Sequence, residues 1–408
     1  MLMSFVGMGV LLGIAYAFSR NRKAISWRTV LGAFALQFSL GAFVLKVSWG
    51  QRLLASMTEG VNQLLSFGDA GIGFLFGGLV AESVGFSFAL KVLPIIVFFA
   101  ALIAVLYHVG IMKWIIRIVG GALQRVLGTS RAESMSATAN IFVGQTEAPL
   151  VVKPFIATMT QSELFAVMVG GLASVAGSAL AGYALIGVPV EYLIAACFMS
   201  APGGLLFAKM LMPETETPLA ELPEVSDEDA PVNVIDAAAN GASSGLHLAL
   251  NVGAMLLAFV ALIAVVNGVL GGVGGWFGMP ELTLELLLGW LFSPLAFLLG
   301  VPWAEAVTAG SFIGQKLVVN EFVAYLNFAP FLADGAEVVL SPKTTAIVSF
   351  ALCGFANLSS IAILLGGLGG MAPSRRKDIA RMGLLAVMAG TMSNLMSGTI
   401  AGFFVAMA

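Results

Sequence analysis

The chain has 408 residues, of which 59% are hydrophobic and only 10% are charged, and its mean hydropathy is +0.99. Soluble domains carry about 25% charged residues, so this composition excludes a soluble protein and predicts a helical protein that crosses a membrane many times. The net charge of −3 and the absence of a large basic cluster give no sign of a nucleic-acid polymer as partner.

Two apolar spans are predicted first, at residues 1–18 and 30–47, and the basic turn between them indicates that the chain starts outside the cell. Apolar residues then recur at helical spacing over residues 49–65 among polar ones, as in a helix lying in the membrane interface. The sequence leaves open whether the glycine-rich stretch 71–90 spans the membrane. Pro94 opens a further predicted span to about Tyr107, followed by a basic segment that favours the cytoplasm.

A polar run over residues 130–160 is too broken for a lipid-facing span. The tetrads that begin at Ser130 and Thr160 have the form of capping boxes, which predict helix starts on either side of this run. We therefore predict a re-entrant helical hairpin that enters from the cytoplasmic side, with its turn near residues 147–150.

The rest of the chain predicts further spans at 164–185, 188–211, 246–270 and 341–368, and a last one that ends at residue 408. An acidic, proline-rich segment after residue 212 is a solvated loop, and a second polar run at 305–327 forms another hairpin that includes 282–299. Ser341 and Pro342 predict a capped helix start. Eight crossings place every basic cluster inside and both termini outside.

The two polar runs are related in sequence. Residues 138–145 read TANIFVGQ and residues 308–315 read TAGSFIGQ, with five identities in eight positions. Each run precedes a span that carries small and polar residues at mid-depth, and the predicted topology places the two hairpins on opposite sides. The sequence therefore predicts an inverted repeat with broken helices, the plan of many secondary transporters.

Carboxylates within the membrane are costly, so Glu147 and Glu321 must face a cavity or a partner. With Gln145 and Asn357, they could bind a polar solute that carries several hydroxyls or amides. Lys316 could either neutralise a nearby carboxylate or face water. No metal-ligand, nucleophile or phosphate-loop motif is present, so no enzyme and no cofactor is predicted.

Four motifs resemble the concentrative nucleoside transporter family in order and spacing: ANIFVGQTEAPLVVKPF, ASVAGSALAGYA, NEFVAYL and CGFANLSSIAI. The resemblance spans essentially the whole chain and implies a sodium-coupled symporter of the bacterial cytoplasmic (inner) membrane. It also implies a homotrimer in lipid, in which a scaffold holds a mobile transport domain that moves like an elevator. The implied parts are 1–120 (mostly scaffold), 121–212 (first transport repeat), 213–235 (acidic cytoplasmic loop), 236–299 (scaffold with trimer contacts), 300–370 (second transport repeat) and 371–408 (last span).

The resemblance also implies the roles of individual residues. The nucleobase would meet Gln145, Thr146 and Glu147, with Ala179 at a base-contacting position. The ribose would be held by Glu321, Asn357 and Ser360, with Phe355 packing against the nucleoside. A sodium ion would lie among Asn140, Val143, Ser174 and Val175, where Ser174 gives its hydroxyl and the others give mainly backbone carbonyls.

Alternatives remain at this point. Some relatives in the family use protons, so a proton-coupled nucleoside symporter is one of them. An uncoupled nucleoside facilitator and a membrane-embedded enzyme with Glu147 and Glu321 as acid and base are others. The sequence does not distinguish purine from pyrimidine nucleosides, and it does not give the stoichiometry.

Overall fold

The computed structural model describes residues 2–81, 85–218, 231–333 and 335–407. Over these residues the chain is all-helical, with sixteen α-helices, several short 3₁₀ helices and no strand. Residues 219–230, which make up most of the predicted acidic loop, lie outside the described residues.

The first four helices are α1 (Leu2–Ala17), α2 (Trp27–Lys46), α3 (Ser48–Phe76) and α4 (Phe88–His108). The predicted interfacial helix is the first part of α3, which continues without a break into the glycine-rich stretch and ends where Gly77 adopts a φ of 51°. The expectation that Pro94 opens a span is wrong, because α4 begins at Phe88 and Pro94 lies inside it. One missing backbone hydrogen bond is tolerated inside a membrane helix that is otherwise strongly apolar.

Helix α5 (Ile111–Leu127) follows and is bounded by two glycines in the left-handed region. Gly110 precedes it with a φ of 90°, and Gly128 ends it with a φ of 69°. Residues with a side chain rarely adopt these angles, so the two glycines fix both ends of α5. The helix buries one face only, through Met112, Ile116 and Leu123.

The first polar run forms α6 (Arg131–Ala139), a turn over residues 140–147 and a 3₁₀ helix at Ala148–Phe155. Both predicted capping boxes are confirmed, since Ser130 and Thr160 each exchange two hydrogen bonds with the glutamate three residues later. The turn comes earlier than predicted, because α6 already ends at Ala139. Three helices then follow: α7 (Gln161–Ala173), α8 (Gly177–Leu185) and α9 (Val190–Leu211). The break between α7 and α8 confirms the predicted interruption of this span.

The second half contains α10 (Val234–Trp276), α11 (Leu284–Leu298), α12 (Trp303–Val318), α13 (Glu321–Phe328), α14 (Pro342–Leu352), α15 (Ser360–Met371) and α16 (Arg376–Val405). Helix α10 has 43 residues and extends far beyond the predicted span at 246–270. Helices α11 and α12 meet at 115°. The span predicted at 341–368 is broken between α14 and α15, at the motif that begins with Cys353, and Ser341 caps α14 as predicted.

Among the described residues, seven helical segments are long and apolar enough to cross a membrane, and eight if the bent pair α11 and α12 counts as one span. The predicted number of crossings is also eight, but the assignments differ: α3 qualifies by length, whereas α1 and the broken pair α14 and α15 are too short.

Burial divides the helices into two groups. In the most apolar window of each span, 94% of α7–α8 and of α9 is buried, whereas only 11% of α10 is.

Candidate functional site

The two broken helices meet each other at their breaks. The backbone N–H of Phe355, in the break between α14 and α15, donates to the carbonyl oxygen of Ser174, in the break between α7 and α8, at 3.1 Å. On the other side of the first break, the N–H of Gly177 donates to the carbonyl of Phe142 in the turn that follows α6, at 3.0 Å. The breaks release backbone groups from their helices, and these groups pair with the other broken helix or with this turn.

A carboxylate lies at the centre of this region. Glu321 begins α13, directly after the turn of the second hairpin, and is only 4% exposed. Its Oε1 accepts a hydrogen bond from the Tyr183 hydroxyl at 3.2 Å, and its Oε2 accepts one from Nδ2 of Asn357 at 3.0 Å. Tyr183 comes from α8, one turn after Ala179, and both residues are buried. The two broken helices thus contribute one residue each to the partners of a single buried carboxylate.

The hydrogen-bonded chain continues from Asn357 to the first hairpin. The Asn357 Oδ1 accepts from the backbone N–H of Ser360 at 2.9 Å, which fixes the orientation of the Asn357 amide. Nε2 of Gln145 donates to the Ser360 hydroxyl oxygen at 3.5 Å, and the buried Gln145 Oε1 has no partner among the described residues. The structure therefore joins Gln145, Ser360, Asn357 and Glu321 in one polar chain across both repeats.

The other predicted substrate residues lie beside this chain. Thr146 is half-buried, and its Cγ2 lies against Gly367 of α15. Glu147 is exposed, and its carboxylate turns back to accept the backbone N–H of Gly144 at 2.6 Å. Phe355 is half-buried in the second break, and its carbonyl accepts the Ser360 hydroxyl at 2.5 Å. Thr146 and Glu147 therefore share the turn with Gln145 but take no part in its hydrogen bond to α15.

The residues predicted to hold sodium surround the first break. Asn140 caps the end of α6, and its Nδ2 donates to the carbonyl of Ser136 at 2.9 Å. Its buried Oδ1 has no partner within the part of the chain that the structure describes. The Ser174 hydroxyl donates to the carbonyl of Gly170 at 3.1 Å, and the amide of Asn140 lies against the same glycine. Val143 and Val175 are both buried. An amide oxygen and a serine hydroxyl that neighbour the same glycine are oxygen donors of the kind that a hard cation prefers.

A second cluster was not found from the sequence. Nζ of Lys316, at the end of α12, donates to the Ala351 carbonyl and to the Asn394 Oδ1, both at 2.7 Å. Nδ2 of Asn394, on α16, donates to the carbonyls of Ala173 at 2.6 Å and Cys353 at 2.9 Å. Lys316 is 2% exposed, so it does not face water, and its hydrogen bonds go to neutral oxygens. Asn394 clamps both broken helices to α16.

Sequence reasoning missed Tyr183 and Asn394 as parts of the site. Both carried a signal: Tyr183 lies within the motif that contains the first break, and Asn394 is a lone amide in an apolar final helix. A polar side chain inside a membrane span is a candidate functional residue by default.

Three family models match the chain. The model for the C-terminus of Na⁺-dependent nucleoside transporters covers residues 192–402, and the model for their N-terminus covers residues 6–79. The chain belongs to the Na⁺-dependent nucleoside transporter family. A third model, for a nucleoside-recognition gate, covers residues 89–189 of this nucleoside transporter and so includes the first hairpin and the first broken helix.

Relatives of the transporter match it from end to end. The nucleoside permease NupC of Helicobacter pylori is 55% identical, and the match covers 99% of this chain and 98% of that protein. An uncharacterized transporter of Haemophilus influenzae is 61% identical over 99% of this chain and 98% of its own length. An inward-facing, substrate-bound structure of CNTnw superposes with a TM-score of 0.96 at 60% identity, covering 100% of this chain and 98% of that one. These relatives are transporters and permeases, which argues against the enzyme alternative.

Proposed function

We propose that this nucleoside transporter is a symporter that couples inward sodium flow to nucleoside uptake across the bacterial cytoplasmic membrane. The observation that carries the proposal is the chain of hydrogen bonds from Gln145 through Ser360 and Asn357 to Glu321, buried among apolar helices. Buried polar groups are retained where they serve binding or fold specificity, and this chain connects donors and acceptors that match a nucleoside in kind.

The ribose is the part of a nucleoside that best fits the Glu321 end. The 2′ and 3′ hydroxyls of a ribose are adjacent donors, and a carboxylate can accept from both. The Asn357 amide, oriented by Ser360, and the Tyr183 hydroxyl hold the carboxylate in place from two sides. A sugar that lacks a hydroxyl leaves a buried acceptor unpaired, at about 1–3 kcal/mol. Glu321, Asn357 and Ser360 therefore select ribonucleosides in this proposal.

The nucleobase is assigned to the first hairpin. Gln145 has a free buried Oε1, which can accept a hydrogen bond from a base, and its Nε2 can be released from the long contact with Ser360. Thr146 and Glu147 follow it on the same turn, and Ala179 leaves room on α8 because its side chain is small. Phe355, half-buried in the second break, offers an apolar face to the nucleoside.

Sodium is assigned to the first break. The proposed ligands are the free Asn140 Oδ1, the Ser174 hydroxyl and backbone carbonyls of Val143 and Val175. The Ser174 carbonyl accepts the N–H of Phe355, so the ion site and the nucleoside site share one backbone hydrogen bond. An ion that orders Ser174 also orders Phe355 and thereby raises the affinity for the nucleoside. By linkage, the bound nucleoside raises the affinity for sodium by the same factor.

We propose that the strongly buried helices move and that the sparsely buried ones stay in place. The strongly buried α7, α8 and α9 belong to the first transport repeat, 121–212. The re-entrant hairpins of this repeat and of the second one, 300–370, enter from opposite sides of the membrane. The sparsely buried α10 belongs to a scaffold that contacts lipid and, in a homotrimer, the neighbouring copies. An elevator-like shift of the repeats past this scaffold carries the site across, with both chain termini outside.

The test is accumulation of labelled uridine in proteoliposomes with sodium outside. We expect uridine to rise inside above its outside concentration, to be recovered unmodified, and to be competed by ribonucleosides. Uptake that stops at equal concentrations would indicate an uncoupled facilitator, and recovery of a modified product would indicate an enzyme. Either result would overturn the proposal.

A further inference from the structure

A cationic cavity lies between α5 and α6, and none of the residues proposed for nucleoside or sodium lines it. Its volume is about 270 Å³ and it opens to the surface. Three of its lining residues are arginines, and the full set is Arg117, Gly121, Gln124, Arg125, Arg131 and Met135. The cavity is large enough for a phosphate group with part of a polar headgroup attached.

The part of the chain that the structure describes gives the three arginines no carboxylate partner. Among the residues that the structure describes, no carboxylate lies within 4 Å of the guanidinium groups of Arg117, Arg125 or Arg131. The acidic residue on α6, Glu133, is buried and already pairs with Lys209 while capping Ser130. Like charges that converge without a counterion repel one another, so this cavity is suited to an anion with several acceptor oxygens.

An exposed apolar stripe runs beside the cavity on α5. Arg117, Gly121 and Arg125 recur every four residues on one side of the helix. Trp114, Ile118 and Val126 recur at four- and eight-residue intervals on the adjoining side, and they are 65%, 50% and 50% exposed. The buried face of α5 lies on the other flank of the cavity. The cationic cavity and the exposed apolar stripe lie side by side along α5, so together they match a molecule with an anionic head and apolar tails.

We infer that this cavity binds the phosphate of an anionic phospholipid, with the acyl chains along the Trp114, Ile118 and Val126 stripe. Arginine forms bidentate hydrogen bonds with phosphate, and basic pockets between helices near the cytoplasmic surface bind lipid headgroups. The basic residues of α5 place this site on the cytoplasmic side by the positive-inside rule. The inference stands apart from the nucleoside site and does not depend on sodium coupling.

Two variants test the site in different ways. Arg117→Gln combined with Arg131→Gln removes two exposed cations whose side chains make no hydrogen bond to any described residue. Gly121→Leu keeps every charge but fills the cavity, because a Cβ at Gly121 meets no atom within 4 Å. Lys377→Gln is the matched control, since it removes an exposed cation from a different predicted cytoplasmic cluster.

The full-length protein is purified with phosphatidylcholine, which is then exchanged for phosphatidylglycerol. Native mass spectrometry measures how much phosphatidylglycerol the protein retains. We expect wild type and Lys377→Gln to retain phosphatidylglycerol. The double arginine variant should lose about 25-fold in apparent affinity, roughly fivefold for each arginine. Gly121→Leu should lose retention with all its arginines present, and inorganic phosphate should not compete.

Four results would overturn the inference. Wild type could retain phosphatidylcholine as well as phosphatidylglycerol, or the double arginine variant could retain phosphatidylglycerol as wild type does. Gly121→Leu could also retain it unchanged, which would mean that the cavity is not used. Displacement by inorganic phosphate at equal concentration would show a site for a free anion instead of a lipid. Uridine uptake by each variant confirms that the protein used in the assay is folded.

Discussion

Replacing Glu321 by glutamine tests the ribose assignment without a large change in shape. In the structure the carboxylate accepts from Tyr183 and Asn357, and the Asn357 amide cannot turn over, because its Oδ1 already accepts from Ser360. A glutamine amide keeps one acceptor and presents a donor where a carboxylate oxygen stood. A hydrogen bond to a charged acceptor contributes about 1.5–3 kcal/mol, so the loss of one such bond lowers the kcat/KM for uridine roughly 10- to 150-fold.

The assay compares uptake of uridine and 2′,3′-dideoxyuridine by wild type and Glu321→Gln in proteoliposomes. Wild type should prefer uridine, and the variant should lose most of that preference, because the lost bond belongs to the sugar hydroxyls. Glu191→Gln makes the same chemical change at an exposed position on α9 and should leave both rates unchanged. If Glu321→Gln slows both substrates equally and keeps the wild-type preference, Glu321 does not bind the ribose.

Three further predictions concern a proposed sodium ligand and two residues that hold the helices of the site together. Ser174→Ala removes a proposed sodium ligand, so it should raise the sodium concentration for half-maximal uptake at least about fivefold while sparing nucleoside preference. Asn394→Ala should lower the free energy of unfolding by about 3 kcal/mol, measured by thermal denaturation, since it leaves a buried ammonium short of a partner and orphans two carbonyls. Gly203→Ala should destabilise by about 1–3 kcal/mol, because the new Cβ overlaps polar atoms of α2 and α16.

Each of these predictions has a matched control close to it in the sequence. Ser178→Ala removes a buried hydroxyl from α8, four residues after Ser174, and should leave sodium activation unchanged. Thr391→Val removes a hydroxyl that has no partner among the described residues, so it should cost little compared with Asn394→Ala. At Gly204 a new Cβ makes ordinary contact with a neighbouring Cβ at 3.4 Å, so Gly204→Ala should be tolerated. A control that behaves like its test variant contradicts the corresponding argument.

The features predicted well from the sequence are local ones. The capping boxes at Ser130 and Thr160 and the capped start at Ser341 depend on residues within one turn, and the structure has each of them. The two helix breaks were predicted because small and polar residues interrupt apolar runs. The repeat between residues 138–145 and 308–315 then linked the two polar runs before any contact was known.

The features missed depend on contacts between distant parts of the chain. Pro94 is a helix breaker by local rules, yet α4 continues through it because the remaining helix is strongly apolar. No local pattern pairs Tyr183 with Glu321, which are 138 residues apart, or places Asn394 between two broken helices. For Lys316 the sequence allows two roles, neutralising a carboxylate or facing water, because no local pattern shows that its partners are a carbonyl and an amide.

The proposed function depends on sodium coupling, which imposed ion gradients can test. Labelled uridine uptake is measured in proteoliposomes that carry the wild-type transporter, with an inward sodium gradient or an inward proton gradient imposed separately at the same membrane potential. The account predicts accumulation with the sodium gradient alone and none with the proton gradient alone. Accumulation driven by protons in the absence of sodium would contradict it.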